Sequence, residues 1–180
     1  MSPSEERDIA LMSDERTRLR RRDRAMPSDH EIVALLHRAQ VGFIATSVSD
    51  QPYIHPNLFW FDEANRRLYF HTANEGRTLS NVERNPQVCF SVAEMGRLLA
   101  ADTAIEFSTE YASVIVFGDA RVVKSDEEKR FGLQGLLNKY FPDLHPGEDY
   151  RPITADELDQ TAVYAIEIDA WSGKQKVESG

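Results

Sequence analysis

Apolar residues along the chain follow two different periods, and these periods separate predicted helices from predicted strands. The first helix is indicated after Pro27, where the i, i+3, i+4, i+7 spacing of one helix face is occupied by Ile32, Leu35, Leu36 and Ala39. Ser28 and Glu31 stand in the S-x-x-E order of a capping box just before this stripe. The pattern predicts a helix that begins at Ser28 and buries one face.

Alternating or continuous apolar runs predict the strands. Three of them, at 41–48, 53–61 and 68–72, are separated by the polar turns 49–51 and 62–65. Further runs lie at 87–93, near 104–108, at 113–123 and at 162–168. The short connections favour antiparallel hairpins. Pro56 lies inside the second run and cannot donate to a ladder, so it marks an edge, a bulge or a contact with something other than backbone.

Three more helices are indicated between and after these strands. A short one covers 77–84 and ends before Asn85-Pro86. Ser125 and Glu128 form a second capping box, followed by an apolar stripe at Leu133, Leu136, Leu137 and Tyr140. Thr154 and Glu157 form a third box. Six or seven strands with three or four helices, in no strict alternation, predict an α+β fold built on an antiparallel barrel.

Composition and charge narrow the class of protein. The chain has 180 residues, of which 41% are apolar and 28% charged, and its net charge of −9 disfavours nucleic acid as a partner. No apolar run approaches a membrane span, and the charged N-terminus lacks the apolar core of a signal peptide. Cys89 is the single cysteine, which excludes an internal disulfide and fits a reducing, cytoplasmic location.

Residues 1–26 differ from residues 27–180, which form the predicted folded domain. Six arginines crowd this N-terminal arm with few apolar neighbours: Arg16, Arg18, Arg20, Arg21, Arg22 and Arg24. One interpretation is a solvated arm. The alternative is an arm that lies over a neighbouring subunit or an anionic ligand.

The most informative chemistry lies where the 68–72 strand leads into the 77–84 helix. Gly76, Arg77 and Thr78, here called the phosphate corner, would bring a guanidinium and a hydroxyl to the backbone N–H groups of a helix start. These groups are the ones that hold a phosphate. An ordinary helix start with an exposed arginine is the competing interpretation.

Other kinds of site find little support. The five histidines show no His-x-x-x-His spacing and there is no Cys-x-x-Cys, so no metal site is predicted. His55 and His71 lie in adjacent predicted strands, yet further ligands are not evident. The sequence also lacks a G-x-S-x-G elbow, a P-loop and a G-x-G-x-x-G fingerprint, which disfavours a serine hydrolase, a nucleoside triphosphatase and a Rossmann dinucleotide site.

Short motifs in a consistent order, from about residue 16 to residue 176, resemble one known family. They include Gly42-Phe-Ile-Ala-Thr46, Gln51-Pro-Tyr53, Leu68-Tyr-Phe-His71, Glu75-Gly-Arg77, Arg84-Asn-Pro86, Ser113-Val-Ile-Val-Phe-Gly118 and Ser172-Gly-Lys174. The chain resembles the FMN-binding split β-barrel proteins related to pyridoxamine 5′-phosphate oxidase, and most closely their nitroimidazole-resistance (Nim-type) branch. The resemblance implies a Greek-key barrel with peripheral helices and a homodimer that binds FMN between its subunits.

The same resemblance implies roles for individual residues. Arg77 and Thr78 would hold the FMN phosphate, and His71 and Thr72 would line the flavin and its ribityl chain. The strand facing the ring would be His55, Pro56, Asn57 and Leu58. Ser113 would reach the flavin near its phosphate, and Trp171 and Lys174 would close over the site from the other subunit. The oxidase itself has Arg-Lys where this chain has Arg77-Thr78, and its vitamin B6-binding residues are not evident here.

Three functions remain open on this basis. The first is an FMN-dependent oxidoreductase that uses NAD(P)H to reduce small electron-poor substrates such as nitro compounds or quinones, with His55 or His71 as the candidate proton donor. The second is a flavin carrier or redox sensor without turnover. In the third, the same cleft holds haem with His71 as its axial ligand.

Overall fold

A computed structural model describes residues 15–177 and shows one antiparallel sheet of seven strands with helices around it. The strands are β1 (Gly42–Val48), β2 (Gln51–Asn57), β3 (Trp60–Asp62), β4 (Arg67–Ala73), β5 (Gln87–Leu99), β6 (Ser108–Val122) and β7 (Thr161–Lys176). The α-helices are α1 (Asp29–Arg38), α2 (Arg77–Arg84), α3 (Asp126–Tyr140) and α4 (Ala155–Asp159). The sheet order is β2-β1-β5-β6-β7-β4-β3.

The sheet curls around the main core, although it does not close into a complete barrel. Inward side chains from its two ends and its middle meet in a single cluster, for example Ile44 of β1, Val114 of β6 and Phe61 of β3. The α+β, antiparallel split β-barrel fold with peripheral helices is therefore confirmed. Helix α1 covers this core as expected, because its predicted stripe is buried throughout.

The predicted strand at 53–61 is wrong in one respect, since it is two strands at opposite ends of the sheet. β2 pairs with β1, whereas β3 pairs with β4. Leu58 and Phe59 join them, and the Phe59 side chain is fully buried between the two ends. β2 is an edge strand, which explains how it tolerates both Pro52 and Pro56.

Three further expectations need correction. The run near 104–108 is a turn before β6, and its Ile105 is 94% exposed. The last strand is longer than predicted, because β7 continues through Trp171 to Lys176. At α1, Ser28 occupies the N-cap but its side chain makes no capping bond, and the Glu31 carboxylate accepts from Gln175.

The other two capping boxes differ in completeness. At α3 the Ser125 hydroxyl accepts from the Glu128 backbone N–H, while the Glu128 carboxylate binds Arg121. At α4 both halves of the Thr154–Glu157 box form.

The N-terminal arm is described from residue 15 onward, and its first 14 residues lie outside the described part. Two short 3-10 turns, Glu15–Thr17 and Arg22–Arg24, precede α1. The Met26 backbone N–H donates to the Gly173 carbonyl at 3.0 Å, and Ala25 forms an isolated bridge with Lys174. The described part of the arm therefore contacts the domain at the C-terminal half of β7.

Candidate functional site

The phosphate corner stands at the start of α2, as its sequence predicts. Gly76 is the N-cap with φ 125°, a left-handed conformation that disfavours any residue with a Cβ. No side chain caps this end, so the first N–H groups of α2 keep no capping partner within the described residues. Arg77 is exposed and has no carboxylate partner in the described part of the chain; its guanidinium lies 5.3 Å from the centre of the Tyr53 ring.

His55 connects this corner to edge strand β2. Its Nδ1 lies 2.9 Å from the hydroxyl oxygen of Thr78 and 3.2 Å from the amide nitrogen of Asn57. The nitrogen of the Asn57 amide can only donate, so in the neutral ring Nδ1 accepts and the proton is on Nε2. The hydroxyl and the amide therefore hold the half-buried imidazole in one orientation and leave its Nε2–H available to a ligand.

A buried polar chain holds α2 against β1 and β2. The Asn81 amide donates to the Thr46 hydroxyl at 2.8 Å, and that hydroxyl is 3.5 Å from the Tyr53 carbonyl. Asn81 and Thr46 are both buried, so these bonds are shielded from water. The corner is consequently fixed relative to the strand that carries Tyr53 and His55.

Leu58 and His71 line a separate apolar cavity of about 450 Å³. Leu58 follows β2 and His71 lies on β4, while α3, the loop after it and α4 supply the remaining walls. Loss of surrounding water at this position lowers the pKa of His71, so its imidazole is neutral at pH 7. Thr72, the next residue, bonds to the Tyr164 hydroxyl at 3.0 Å.

Ser113 and Lys174 lie apart from the corner, on the other face of the sheet. They are register partners on β6 and β7, and their neighbour Val114 points into the core. Pro56 has the same outward direction on β2, because it pairs with the exposed Phe43. Within one chain the sheet therefore separates these residues from His55 and Thr78.

Trp171 is part of the protein core. It is 4% exposed, its indole N–H donates to Asp29 at 3.1 Å, and the Arg66 guanidinium lies 4.0 Å from its ring centre. The indole is occupied by its own chain, so it has no free ring face to offer a ligand.

Sequence reasoning did not single out Tyr53 and Asn81 as part of the site. Tyr53 alternates with His55 and Asn57 along β2, so the strand pattern alone could have placed it on the same face as these two residues. Asn81 gave no such signal, because its partner Thr46 is 35 positions away in the sequence.

Two findings concern the rest of the described chain. Residues 15–177 contain no group of three or more His, Cys, Asp or Glu side chains arranged to hold a metal ion. Among the helices described, none has the length and apolar character needed to cross a membrane.

Comparisons with known proteins fit this geometry. A family model described as pyridoxamine 5′-phosphate oxidase matches residues 28–175. A search of curated protein sequences found no match.

Solved structures with the same fold include three of particular interest. The flavocytochrome Anf3 from Azotobacter vinelandii is 26% identical with a TM-score of 0.79, over 92% of this chain and 75% of its own. An FAD- and haem-binding protein from Mycobacterium smegmatis is 24% identical with a TM-score of 0.77, over 86% and 74%. A candidate 5-nitroimidazole antibiotic resistance protein from Bacteroides thetaiotaomicron is 22% identical with a TM-score of 0.70, over 84% and 86%.

Proposed function

Because the chain belongs to the pyridoxamine 5′-phosphate oxidase family, we propose that it is a flavoprotein whose phosphate corner holds FMN. The observation that carries this proposal is the polar cluster at the junction of α2 and β2. An unpaired guanidinium, an uncapped helix start and an oriented imidazole converge there. This donor set suits an anionic cofactor with a polar ring edge.

The residues present fit FMN in kind and in number. Arg77 and the first N–H groups of α2 would bind the phosphate, and Nε2–H of His55 would donate to a flavin oxygen or nitrogen. Gly76 leaves open space where a side chain would stand, so an anion can approach the backbone closely. Among the described residues, Arg77 is the cation at this corner and has no carboxylate partner, which favours the single phosphate of FMN over the longer anionic chain of FAD.

The chemistry that a bound flavin supplies is two-electron transfer from a reduced nicotinamide to an electron-poor acceptor. We assign the protein to oxidoreductases that reduce quinones or nitro compounds with NAD(P)H. For a quinone, NAD(P)H and one proton give NAD(P)⁺ and the hydroquinone. For a nitro compound, the same reductant and proton give the nitroso compound, NAD(P)⁺ and water. His55 and His71 are the candidates to deliver a proton. Within the family, we propose that this chain is most similar to the nitroimidazole-resistance branch.

We also propose that the protein is a cytoplasmic homodimer. An apolar outer face on β1, β2 and β6 carries Phe43, Ile54 and Ile115, which are 44%, 63% and 39% exposed. Burying these side chains against a second copy would remove apolar surface from water. The partner's equivalents of Ser113 and Lys174 lie on that same face, so such a dimer would bring them towards edge strand β2.

The test is the cofactor content of the purified protein. We expect an oxidised flavin spectrum and FMN by mass spectrometry after denaturation. Arg77→Ala should weaken FMN binding at least tenfold, because one charge-assisted contact contributes about 1.5–3 kcal/mol. Arg84→Ala, at the opposite end of α2, is the matched control. The proposal would be refuted by a protein that retains no FMN after the cofactor has been added and the unbound excess removed. An Arg77→Ala variant that binds FMN as tightly as the wild type would also refute it.

A second candidate, a flavin- or haem-binding protein without turnover, is favoured by the position of His71. Its neutral imidazole faces an apolar cavity, and a neutral imidazole is the form that binds haem iron. Two of the structural relatives are named for haem or cytochrome character. A Soret band that His71→Gln abolishes while FMN binding persists would favour this function over the first.

A further inference from the structure

The apolar cavity beside His71 is walled mainly by aliphatic and aromatic side chains. It holds about 450 Å³, which lies in the range of small-molecule sites. Its aliphatic walls are contributed by Leu58, Leu133, Leu136, Leu137 and Ile153. Leu58 directly follows Asn57, the residue that bonds to His55, so the cavity begins where the proposed flavin strand ends.

The charged groups at the rim of this cavity are already paired. The Arg151 guanidinium binds the Glu157 carboxylate at 2.9 Å, so the rim carries no net charge. The same carboxylate also accepts from the Thr154 backbone N–H, which fixes it as part of the α4 cap. A free anion would meet an Arg151 whose charge is already balanced by Glu157.

The hydroxyl groups in the cavity also make hydrogen bonds, in which Tyr140 and Thr161 donate and Tyr150 only accepts. Gln134 donates to the Tyr150 hydroxyl at 2.8 Å, and the Tyr140 hydroxyl donates to the Gln40 carbonyl at 2.8 Å. The Thr161 hydroxyl donates to the Glu157 carbonyl at 2.7 Å. Among residues 15–177, no hydrogen bond involves the His71 imidazole, which leaves its ring N–H, together with the proton of the Tyr150 hydroxyl, ready for a ligand.

We infer that this cavity receives the electron acceptor, and that the acceptor is an uncharged, largely apolar ring compound with an oxygen that accepts a hydrogen bond from His71. The inference rests on the proposed function, because it assigns the acceptor's place beside the flavin strand. The walls select for apolar surface and the paired rim gives no advantage to an anion. A quinone matches this description, whereas a phosphorylated vitamin B6 compound does not.

Three probes of similar size test each part of the inference by equilibrium dialysis without NAD(P)H. They are 2,3-dimethyl-1,4-naphthoquinone, 2,3-dimethylnaphthalene and 1-naphthoate; the methyl groups prevent the quinone from adding the Cys89 thiol. We expect the quinone to bind most tightly, the hydrocarbon less tightly and the anion at least tenfold more weakly than the quinone. His71→Leu should weaken quinone binding about fivefold to tenfold and leave hydrocarbon binding within twofold, since only the hydrogen bond is lost.

A variant of the cavity wall tests the location. Ile153→Asp should weaken quinone and hydrocarbon binding at least tenfold, because it places a carboxylate among the aliphatic walls. Ile105→Asp, in the exposed turn before β6, is the matched control and should change neither. If Ile153→Asp does not fold, Leu137→Phe fills the same space without adding charge and should weaken both.

The outcomes separate this inference from the proposed function. A yellow, FMN-loaded protein that binds none of the probes would overturn the inference alone. The inference would also fail by itself if naphthoate bound as tightly as the quinone, or if His71→Leu weakened hydrocarbon binding equally. A protein that binds the quinone but never binds FMN would instead overturn the proposed function and, with it, the assignment of this site to an electron acceptor.

Discussion

Glu128 joins three elements of the structure through one carboxylate. It lies in the first turn of α3 and binds the Arg121 guanidinium of β6 through two bonds of 2.9 and 2.5 Å. It also accepts from the buried Tyr69 hydroxyl of β4 at 2.9 Å. The Arg121 hydrogen bonds lower the pKa of Glu128, while burial raises the pKa of Tyr69 to about 12. The group is therefore a carboxylate at neutral pH, and it accepts from both partners.

We expect Glu128→Gln to lower the free energy of unfolding by about 1–3 kcal/mol, because the amide cannot accept from both Arg121 and Tyr69 as the carboxylate does. Urea unfolding monitored by circular dichroism measures this change. Glu127→Gln, an exposed neighbour on the same helix turn, is the control. An equal loss of unfolding free energy in both variants would show that the bonds of the Glu128 carboxylate to Arg121 and Tyr69 do not stabilise the fold.

His71 gives the fold a small dependence on pH. Its imidazole is partly exposed, but the atoms packed around it remove part of its water and lower its folded pKa below the ordinary value of 6.5. The unfolded chain therefore takes up a proton first as the pH falls. The contribution of the neutral imidazole to stability is complete above pH 6.5 and is lost as the pH falls below it. We expect His71→Gln to lose less stability than the wild type between pH 7.5 and 5.5 in urea titrations. His30→Gln, at an exposed position of α1, should behave like the wild type.

Sequence patterns located the phosphate corner at residue level but not its surroundings. Gly76, Arg77 and Thr78 are consecutive, so the start of a helix made their meeting predictable. The bond between His55 and Thr78 spans 23 positions and depends on how α2 packs across β2. Trp171 was predicted to contact the flavin but lies in the core. Its position there depends on Asp29 and Arg66, which are distant in the sequence and which no local pattern links to it.

At the scale of elements, α3 packs on the sheet through its glycines rather than through leucines alone. A methyl group at Gly135 would overlap the Trp60 ring. That ring cannot retreat easily, since it stacks on Tyr69 at 5.6 Å and meets Phe131 edge-on at 5.1 Å. Leu136 shares the buried face, whereas Leu133 and Leu137 are only half-buried.

We expect Gly135→Ala to lower the free energy of unfolding by about 1–3 kcal/mol through this overlap. The effect opposes helix propensity, which alone would favour alanine by about 1 kcal/mol. Asn138→Ala, on the exposed side of the same helix, is the control and should leave stability nearly unchanged or raise it slightly. Thermal unfolding of both variants distinguishes the two effects; a more stable Gly135→Ala would show that α3 does not pack closely on Trp60.

The elements themselves were largely predictable, and the exceptions have a physical cause. The β1–β2 hairpin follows from its local turn, where Ser49 and Asp50 both take the left-handed conformation that suits a two-residue connection. The split between β2 and β3 was missed because Leu58 and Phe59 continue the apolar run without a turn signal. Phe59 lies in the connection that runs from one end of the sheet to the other through the core. Its apolar side chain therefore reflects burial in the core and not membership of a paired strand.

At the scale of the whole molecule, the proposed dimer depends on the apolar outer face of β1, β2 and β6. Ile54 of β2 is 63% exposed and pairs in register with Ala45 of β1, beside the exposed Phe43. We expect Ile54→Lys to convert the proposed dimer into a monomer in light scattering after size-exclusion chromatography, because a second copy would have to bury that charge. Leu144→Lys, in the loop after α3, is an exposed apolar control. A wild-type monomer, or an unaffected dimer in the Ile54→Lys variant, would contradict this arrangement.

The position of β7 has a consequence for how the chain matures on the ribosome. β7 lies between β6 and β4, so the strands made earlier form two separate groups until residues 161–176 emerge. Before then β4 and β3 have no hydrogen-bonded strand that joins them to the rest of the sheet, and the second edge of β4 is unpaired. Nascent chains therefore cannot complete the sheet until β7 has been made, and we expect chaperones to engage them during that interval.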